Sequence, residues 1–263
     1  MTKIGEKATQ LLSLENKVTL VTGGASGIGR GIAIRLAELG AAVMILDINV
    51  EDGEQTSAAV VRQGGRARFH KCDVRSSRDC KDAVAGALDG FGRIDILCNN
   101  AGVIIRKNIV ELEEHEWNLA LDVTLKGIFL LSREAIPPMI KQGGGVIVNT
   151  GSGWSLKGGP QAASYCAAKA GVMNLTRAMA IDHGKHNIRV NCVCPGDVDT
   201  PLLQSECEQL GEDRAKFLRE AANRPLGRVG TPDDVANAVL FLVSGMAQWI
   251  TGACLLVDGG GLA

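Results

Sequence analysis

Seven short apolar runs, each ended by turn residues and separated by helix-like stretches, constrain the folding of this chain most. They are KVTLVTGG (17–24), AAVMILD (41–47), ARFHKCDV (67–74), IDILCNN (94–100), GVIVNTG (145–151), IRVNCVCPG (188–196) and ACLLVDGG (253–260). Runs that are nearly continuously apolar and rich in Val, Ile and Leu suit parallel strands covered on both faces. Helical patterns over about 27–39, 51–63, 76–91, 111–141, 162–184 and 232–244 supply the crossovers. The alternation predicts an α/β fold: a doubly wound, seven-stranded parallel sheet with right-handed connections. No polar linker divides the chain, so residues 1–263 are expected as one domain. Only the charged stretch 202–228 breaks the rhythm, and it reads either as a lid over a site or as a solvated excursion.

Charge narrows the partners. With 28 Lys plus Arg against 29 Asp plus Glu, a net charge of -1 offers no electrostatic footprint for nucleic acid or an anionic membrane, which favours a small-molecule partner. The polar leader MTKIGEKATQLLSLENK has no signal-peptide core, and no segment is long and apolar enough to span a bilayer. The eight cysteines have no CxxC spacing and read as reduced thiols of a cytoplasmic protein. Cys192 and Cys194 share one face of a strand, but two ligands fall short of a structural zinc site. His183 and His186 have metal-ligand spacing near a helix end, yet no third ligand is evident, and favourable charge at the helix terminus explains them better.

In VTLVTGGASGIGRGIAIRLAELG the glycines Gly23, Gly27 and Gly29 fall between a strand and an amphipathic helix. Glycine permits the tight turn and lets the backbone approach a pyrophosphate at the helix N-terminus. The spacing is Gly-x-x-x-Gly-x-Gly, and a purely structural turn is the alternative. Asp47 ends the second strand, 18 residues beyond Gly29. Its carboxylate can accept hydrogen bonds from ribose hydroxyls and would repel a 2′-phosphate, although it could also cap the next helix. Neither Ser26 nor Ile48 is basic, so NAD is preferred to NADP.

TGGASGIG (22–29), DV (73–74), NNAG (99–102), Ser152, YCAAK (165–169), PGDVDTP (195–201) and VDGG (257–260) together resemble the short-chain dehydrogenase/reductase family, from about Lys17 onward. The resemblance implies a three-layer α/β/α sandwich of Rossmann type and hydride transfer between a nicotinamide cofactor and an alcohol or carbonyl. It implies that Gly23, Ser26, Gly27, Ile28 and Gly29 hold the cofactor, with Asp73 and Val74 beside the adenine and Asn100 near the adenosine ribose. Val198 and Thr200 would lie by the carboxamide. The family also pairs the helices matching 111–141 and 162–184 between subunits, so a homotetramer is expected.

Oxidising an alcohol requires a base within hydrogen-bond reach of the hydroxyl. Tyrosine titrates too high for this near neutrality, but the i, i+4 spacing sets Lys169 on the same helix face as Tyr165, where an ammonium would favour the phenolate. The lysine's family counterpart also holds the cofactor ribose. Ser152, 13 residues before Tyr165, closes a strand from which its hydroxyl could orient the reacting oxygen. A Tyr-x-x-x-Lys spacing is commonplace on helices, and it is the accompanying motifs that make it catalytic here. The chain departs from the family at Thr124, where an asparagine usually holds a water in a proton relay behind the lysine; threonine lacks the amide's separate donor and acceptor arms.

The resulting expectation is an NAD-dependent oxidoreductase acting on a secondary alcohol or its ketone, with sugar or polyol, 3-oxoacyl thioester and hydroxysteroid substrates all open. An NAD-binding sensor or scaffold with catalysis impaired at Thr124 is the alternative. Because it directly follows PGDVDTP, which the resemblance places by the nicotinamide, 202–228 is expected as the substrate-binding lid; Trp154 could contact substrate or pack beneath it, while Cys166 reads as packing.

Overall fold

The computed structural model describes residues 9–263, so part of the polar leader lies outside it. Seven strands form one sheet: β1 (Val18–Thr22), β2 (Ala42–Asp47), β3 (Arg66–Lys71), β4 (Ile96–Asn99), β5 (Gly145–Thr150), β6 (Ile188–Pro195) and β7 (Cys254–Val257). Their order is β3-β2-β1-β4-β5-β6-β7, and every neighbouring pair is parallel. The order reverses between β1 and β4, the switch point outside whose carboxyl ends ligands bind in open α/β sheets.

The helices are α1 (Gly27–Glu38), α2 (Val50–Arg62), α3 (Ser77–Phe91), α4 (Glu114–Leu121), α5 (Gly127–Lys141), α6 (Ala163–His183), α7 (Pro201–Leu210), α8 (Arg214–Ala221) and α9 (Pro232–Val243). Alternate side chains of the strands feed two cores. Leu20, Met44, Leu97, Ile147 and Val190 pack with Val84 of α3, Leu131 and Met139 of α5 and Met179 of α6 on one face. Val21, Ile45, Ile96, Val148 and Val193 pack with Ile32 and Leu36 of α1 and Val239 of α9 on the other. The expected three layers are therefore present. Helices α1 and α9 approach closely because Gly31 faces Pro232: a Cβ there would lie 2.9 Å from the proline Cβ.

Three expectations need correction. The edge strand β3 is not covered on both faces; Arg66, Arg68 and Lys71 keep it largely half-exposed, with the Arg68 guanidinium over the Phe91 ring at 5.3 Å. The helix expected over 111–141 begins only at Glu114. The Asn108 side chain accepts from Val110 N–H and Glu111 N–H and makes a turn, and Glu116 then caps the helix by accepting from Glu113 N–H at 3.0 Å. That helix is also divided by a π-helical turn, Asp122–Lys126, a widening found frequently at functional sites. The charged stretch 202–228 contains most of α7 and all of α8.

Asp95 pins the start of β1. Its buried carboxylate accepts from Val18 N–H at 3.0 Å and from Arg93 at 2.6 and 2.7 Å, with Lys17 at 3.4 Å. Asp95→Ala leaves a strand N–H unpartnered and is expected to lower unfolding stability by about 2 kcal/mol, measured by urea denaturation.

Candidate active site

The loop between β1 and α1 is shaped by close backbone approach. Gly23 has φ +64° and Gly27 φ +50°, a region costly for other residues. At Gly29 a Cβ would lie 2.0 Å from the Gly23 carbonyl oxygen and 2.6 Å from Asn100 Nδ2. No larger residue fits, so the first turn of α1 presents bare backbone N–H groups to the cavity above it. Asp47 braces this loop from β2, one carboxylate oxygen accepting from Ala25 N–H at 3.0 Å and the other from Asn49 N–H at 3.0 Å. Asn49, not Asp47, caps α2.

Asn100 is fixed by residues that sequence reasoning passed over. The Thr22 hydroxyl accepts from Asn100 N–H at 2.9 Å and Ala101 N–H at 3.0 Å, while Asn100 Nδ2 donates to the Thr22 carbonyl at 3.2 Å. Asp73 pairs with Arg75 at 2.6 Å, which holds the aspartate below the ordinary carboxylate range. Thr200 caps α7, accepting from Leu203 N–H, and its own hydroxyl donates to the Val198 carbonyl at 3.0 Å.

Ser152, Tyr165 and Lys169 meet at the carboxyl end of β5. Tyr165 and Lys169 are buried on one face of α6, with the ammonium 5.6 Å from the tyrosine ring centroid. Lys169 Nζ donates to the Thr150 carbonyl at 2.6 Å. Ser152 Oγ accepts from Trp154 N–H at 3.1 Å and hydrogen-bonds the Tyr165 hydroxyl. Burial dominates the titration of both α6 groups. It lowers Lys169 to about 8 and pushes Tyr165 above its ordinary value, the latter opposed by the Ser152 hydrogen bond. The lowered phenol expected from the lysine's field is thus not found in this structure, because removing a phenolate from water costs more than the neighbouring groups return.

Thr124 sits in the π-helical turn, 1% exposed, and its hydroxyl has no hydrogen-bond partner among the described residues. A Cβ at Gly102 would lie 3.6 Å from Thr124 Oγ1 and 3.5 Å from Lys169 Nζ, so both polar atoms border the space beside that glycine. Of the cofactor and catalytic residues singled out from sequence, all but Gly29 line one cavity of about 610 Å³; Gly29 lies behind it, against Gly23.

The mouth joins two segments that sequence reasoning left apart. Trp154 lines the cavity, packs edge-on against Tyr165 at 5.9 Å and lies under the Arg106 guanidinium at 5.1 Å. Arg106 donates to Glu206 of α7 at 2.6 Å with both side chains buried, and Gln209 accepts from Arg106 N–H and donates to the Ile104 carbonyl. Trp154 therefore borders the cavity and also supports the 202–228 stretch. Arg224 anchors the far end, donating to Asp197 and to the Asp258 carbonyl. With a hundred residues between Arg106 and Glu206, no local spacing could announce the pair. Cys166 accepts from Gly159 N–H and packs with Tyr165, as expected. His183 and His186 lie 6.5 Å apart, ring to ring, outside any metal-ligating group found among the described residues.

Residues 23–261 match a family profile described as enoyl-(acyl carrier protein) reductase. The chain belongs to the short-chain dehydrogenase/reductase family. Members of this family are oxidoreductases that use a nicotinamide cofactor. Among its relatives, a cyclopentanol dehydrogenase from Comamonas sp. is 40% identical over 94% of this chain and 97% of its own length. A 3-oxoacyl-[acyl-carrier-protein] reductase from Chlamydia muridarum is 39% identical, covering 94% and 98%. A solved 7α-hydroxysteroid dehydrogenase, complexed with NADH and 7-oxo glycochenodeoxycholic acid, superposes with TM-score 0.91 at 34% identity, covering 96% of this chain and 97% of that one.

The depressed Lys169 makes a stability prediction. Its folded pKa of about 8 lies below the ordinary lysine value near 10.4, so between those pH values the unfolded chain binds the extra proton. The Lys169 contribution to stability therefore rises with pH through that window. Lys169→Met, which removes the buried charge, is expected to gain on the order of 3 kcal/mol relative to wild type at pH 7 compared with pH 10.5, read from paired denaturation curves.

Proposed function

We propose that the protein is an NAD-dependent oxidoreductase interconverting a secondary alcohol and its ketone, with Tyr165 as acid/base. The observation that carries this reading is the meeting of Ser152, Tyr165 and Lys169 in the cavity that the glycine loop and Asp47 also border. The residues fit a dinucleotide. Bare backbone at Gly23, Gly27 and Gly29 suits a pyrophosphate, the Asp47 carboxylate suits unmodified ribose hydroxyls, and Arg75, the nearby cation, is committed to Asp73. The NADH in the hydroxysteroid dehydrogenase complex agrees with NAD over NADP.

The nicotinamide ring supplies the chemistry of accepting or returning the hydride. Tyr165 Oη takes the alcohol proton during oxidation and gives it back during reduction. Ser152 has its Oγ fixed by the Trp154 N–H, and its hydroxyl, turned toward Tyr165, is placed to hold the substrate oxygen at the tyrosine. Lys169 spends one N–H on the Thr150 carbonyl and keeps two donors for the ribose and for a proton path beside Thr124. Its charge supports the phenolate against the burial that opposes it. Segment 202–228 acts as the substrate-binding lid of a single domain, latched by Arg106–Glu206, and its closure excludes water from the transfer. Exposed Phe129 and Ile140 on α5 and Ile181 on α6 support pairing of these helices in a homotetramer, which sedimentation would reveal.

Tyr165→Phe is expected to lower kcat by about 10²–10⁴ in an NADH-absorbance assay with secondary alcohols, while NAD affinity by calorimetry stays within a few-fold. Undiminished turnover would sink the acid/base assignment. The orphaned Thr124 hydroxyl favours a second reading, an NAD-binding sensor with weak catalysis. Thr124→Asn discriminates between them: a rise in turnover or a displaced pH profile shows that the relay limits an enzyme. NAD binding with no turnover in either form favours the sensor.

A further inference from the structure

Behind the active-site strand end lies a second cluster of chemically able groups that the proposed reaction does not use. Cys192 and Cys194 lie two apart on β6, on one face, and both are fully buried. Cys254 opens the edge strand β7 directly opposite Cys192 and is half-buried. The Cys192 and Cys194 sulfurs are 3.7 Å apart, and all three sulfurs lie within 4.8 Å of one another. Three thiols from two paired strands thus converge with their sulfurs close to contact.

We propose that Cys192, Cys194 and Cys254 form a binding site for one trivalent thiophilic ion of the arsenic(III) class, held as a three-thiolate complex. Ligand number and charge select this class. No fourth His, Cys, Asp or Glu joins the cluster among the described residues, so a tetrahedral zinc site is incomplete. The immediate surroundings are Ile128 and Val172, with Leu125 and Leu175 against them, where uncompensated charge is costly; of the cations in electrostatic reach, Arg177 lies toward Cys254 and Lys169 is hydrogen-bonded to the Thr150 carbonyl. Three thiolates around a monovalent ion such as Cu(I) would leave a net charge of -2, and around a divalent ion -1. A trivalent ion gives a neutral complex, which an apolar site accepts.

Proton and bond balance close without an oxidant. Arsenous acid, As(OH)3, exchanges its three hydroxyls for three sulfurs: three S–H and three As–O bonds break, three As–S bonds form and three waters leave, with arsenic remaining trivalent. Cys254, half-buried at the start of β7, is the least enclosed of the three residues. The sulfurs press on Gly151, where a Cβ would lie 2.8 Å from Cys192 Sγ and 2.9 Å from Cys194 Sγ, so the pocket has a backbone wall on its active-site side.

The test is native mass spectrometry of the reduced full-length protein titrated with arsenite. The expected product carries one arsenic per chain with loss of three protons, and Cys254, the half-buried member of the cluster, becomes protected from alkylation. Cys254→Ala is expected to raise the apparent Kd at least tenfold, while Cys80→Ala, which removes a buried thiol of α3 outside the cluster, leaves it unchanged. Should Cys254→Ala fail to fold by circular dichroism, X-ray absorption at the arsenic edge of the loaded wild-type protein decides, with three sulfur neighbours expected. No adduct, fewer than three sulfur neighbours, unchanged affinity in folded Cys254→Ala, or loss on Cys80→Ala would overturn the proposal. None of these readouts depends on turnover, so the proposal stands or fails separately from the catalytic reading.

Discussion

Lys169 sits where water barely reaches it, and the Thr150 carbonyl takes one of its three N–H donors at 2.6 Å. That hydrogen bond ties α6 to the end of β5, the two elements whose residues must meet for the proposed chemistry. Thr150 is the last residue of β5 and Ser152 lies two beyond it, so the contact that holds the lysine also sets the serine's distance from Tyr165. The cost is electrostatic: burial pulls the lysine down to about 8 and pushes the tyrosine up. Folding therefore places an acid and a base together in a medium that favours the neutral form of each. In the proposed function, charge arriving with the cofactor works against that preference.

The sheet makes this arrangement possible. Parallel order sends β1, β4, β5 and β6 out at the same edge, so the glycine loop, Asn100, Ser152 and Val198 emerge side by side despite their separation in the chain. Thr22 then links the first two by accepting from both Asn100 and Ala101 N–H groups. The π-helical turn at Asp122–Lys126 brings Thr124 to the space beside Gly102 and Lys169. A straight continuation from α4 into α5 would present a different residue there, because a π turn rotates everything that follows it.

Much of this was legible in the sequence because its signals are local. Apolar runs marked the seven strands, glycine spacing marked the loop, and the i, i+4 interval placed Tyr165 and Lys169 on one face. The edge strand β3 read as more buried than it is, since its single-sided pairing depends on topology rather than composition. The π-helical turn has no hydrophobic period to betray it, so 111–141 read as a single helix. Contacts such as Arg106 with Glu206, and the gathering of Cys192, Cys194 and Cys254, arise from strands and loops distant in sequence. The direction of the tyrosine's titration was also beyond sequence reading, because spacing shows that a lysine is near but not how much water burial removes.

Tyr165 is the only tyrosine in the chain, which allows a direct test of the central claim that its phenol is the group whose acidity the site controls. With tyrosine labelled by carbon-13 at Cζ, a single resonance reports its ionisation as pH is raised, with and without NAD. The account predicts a phenol that titrates above its ordinary value in the free protein and shifts down by more than one unit when NAD binds. A resonance whose titration is the same in both states would contradict it.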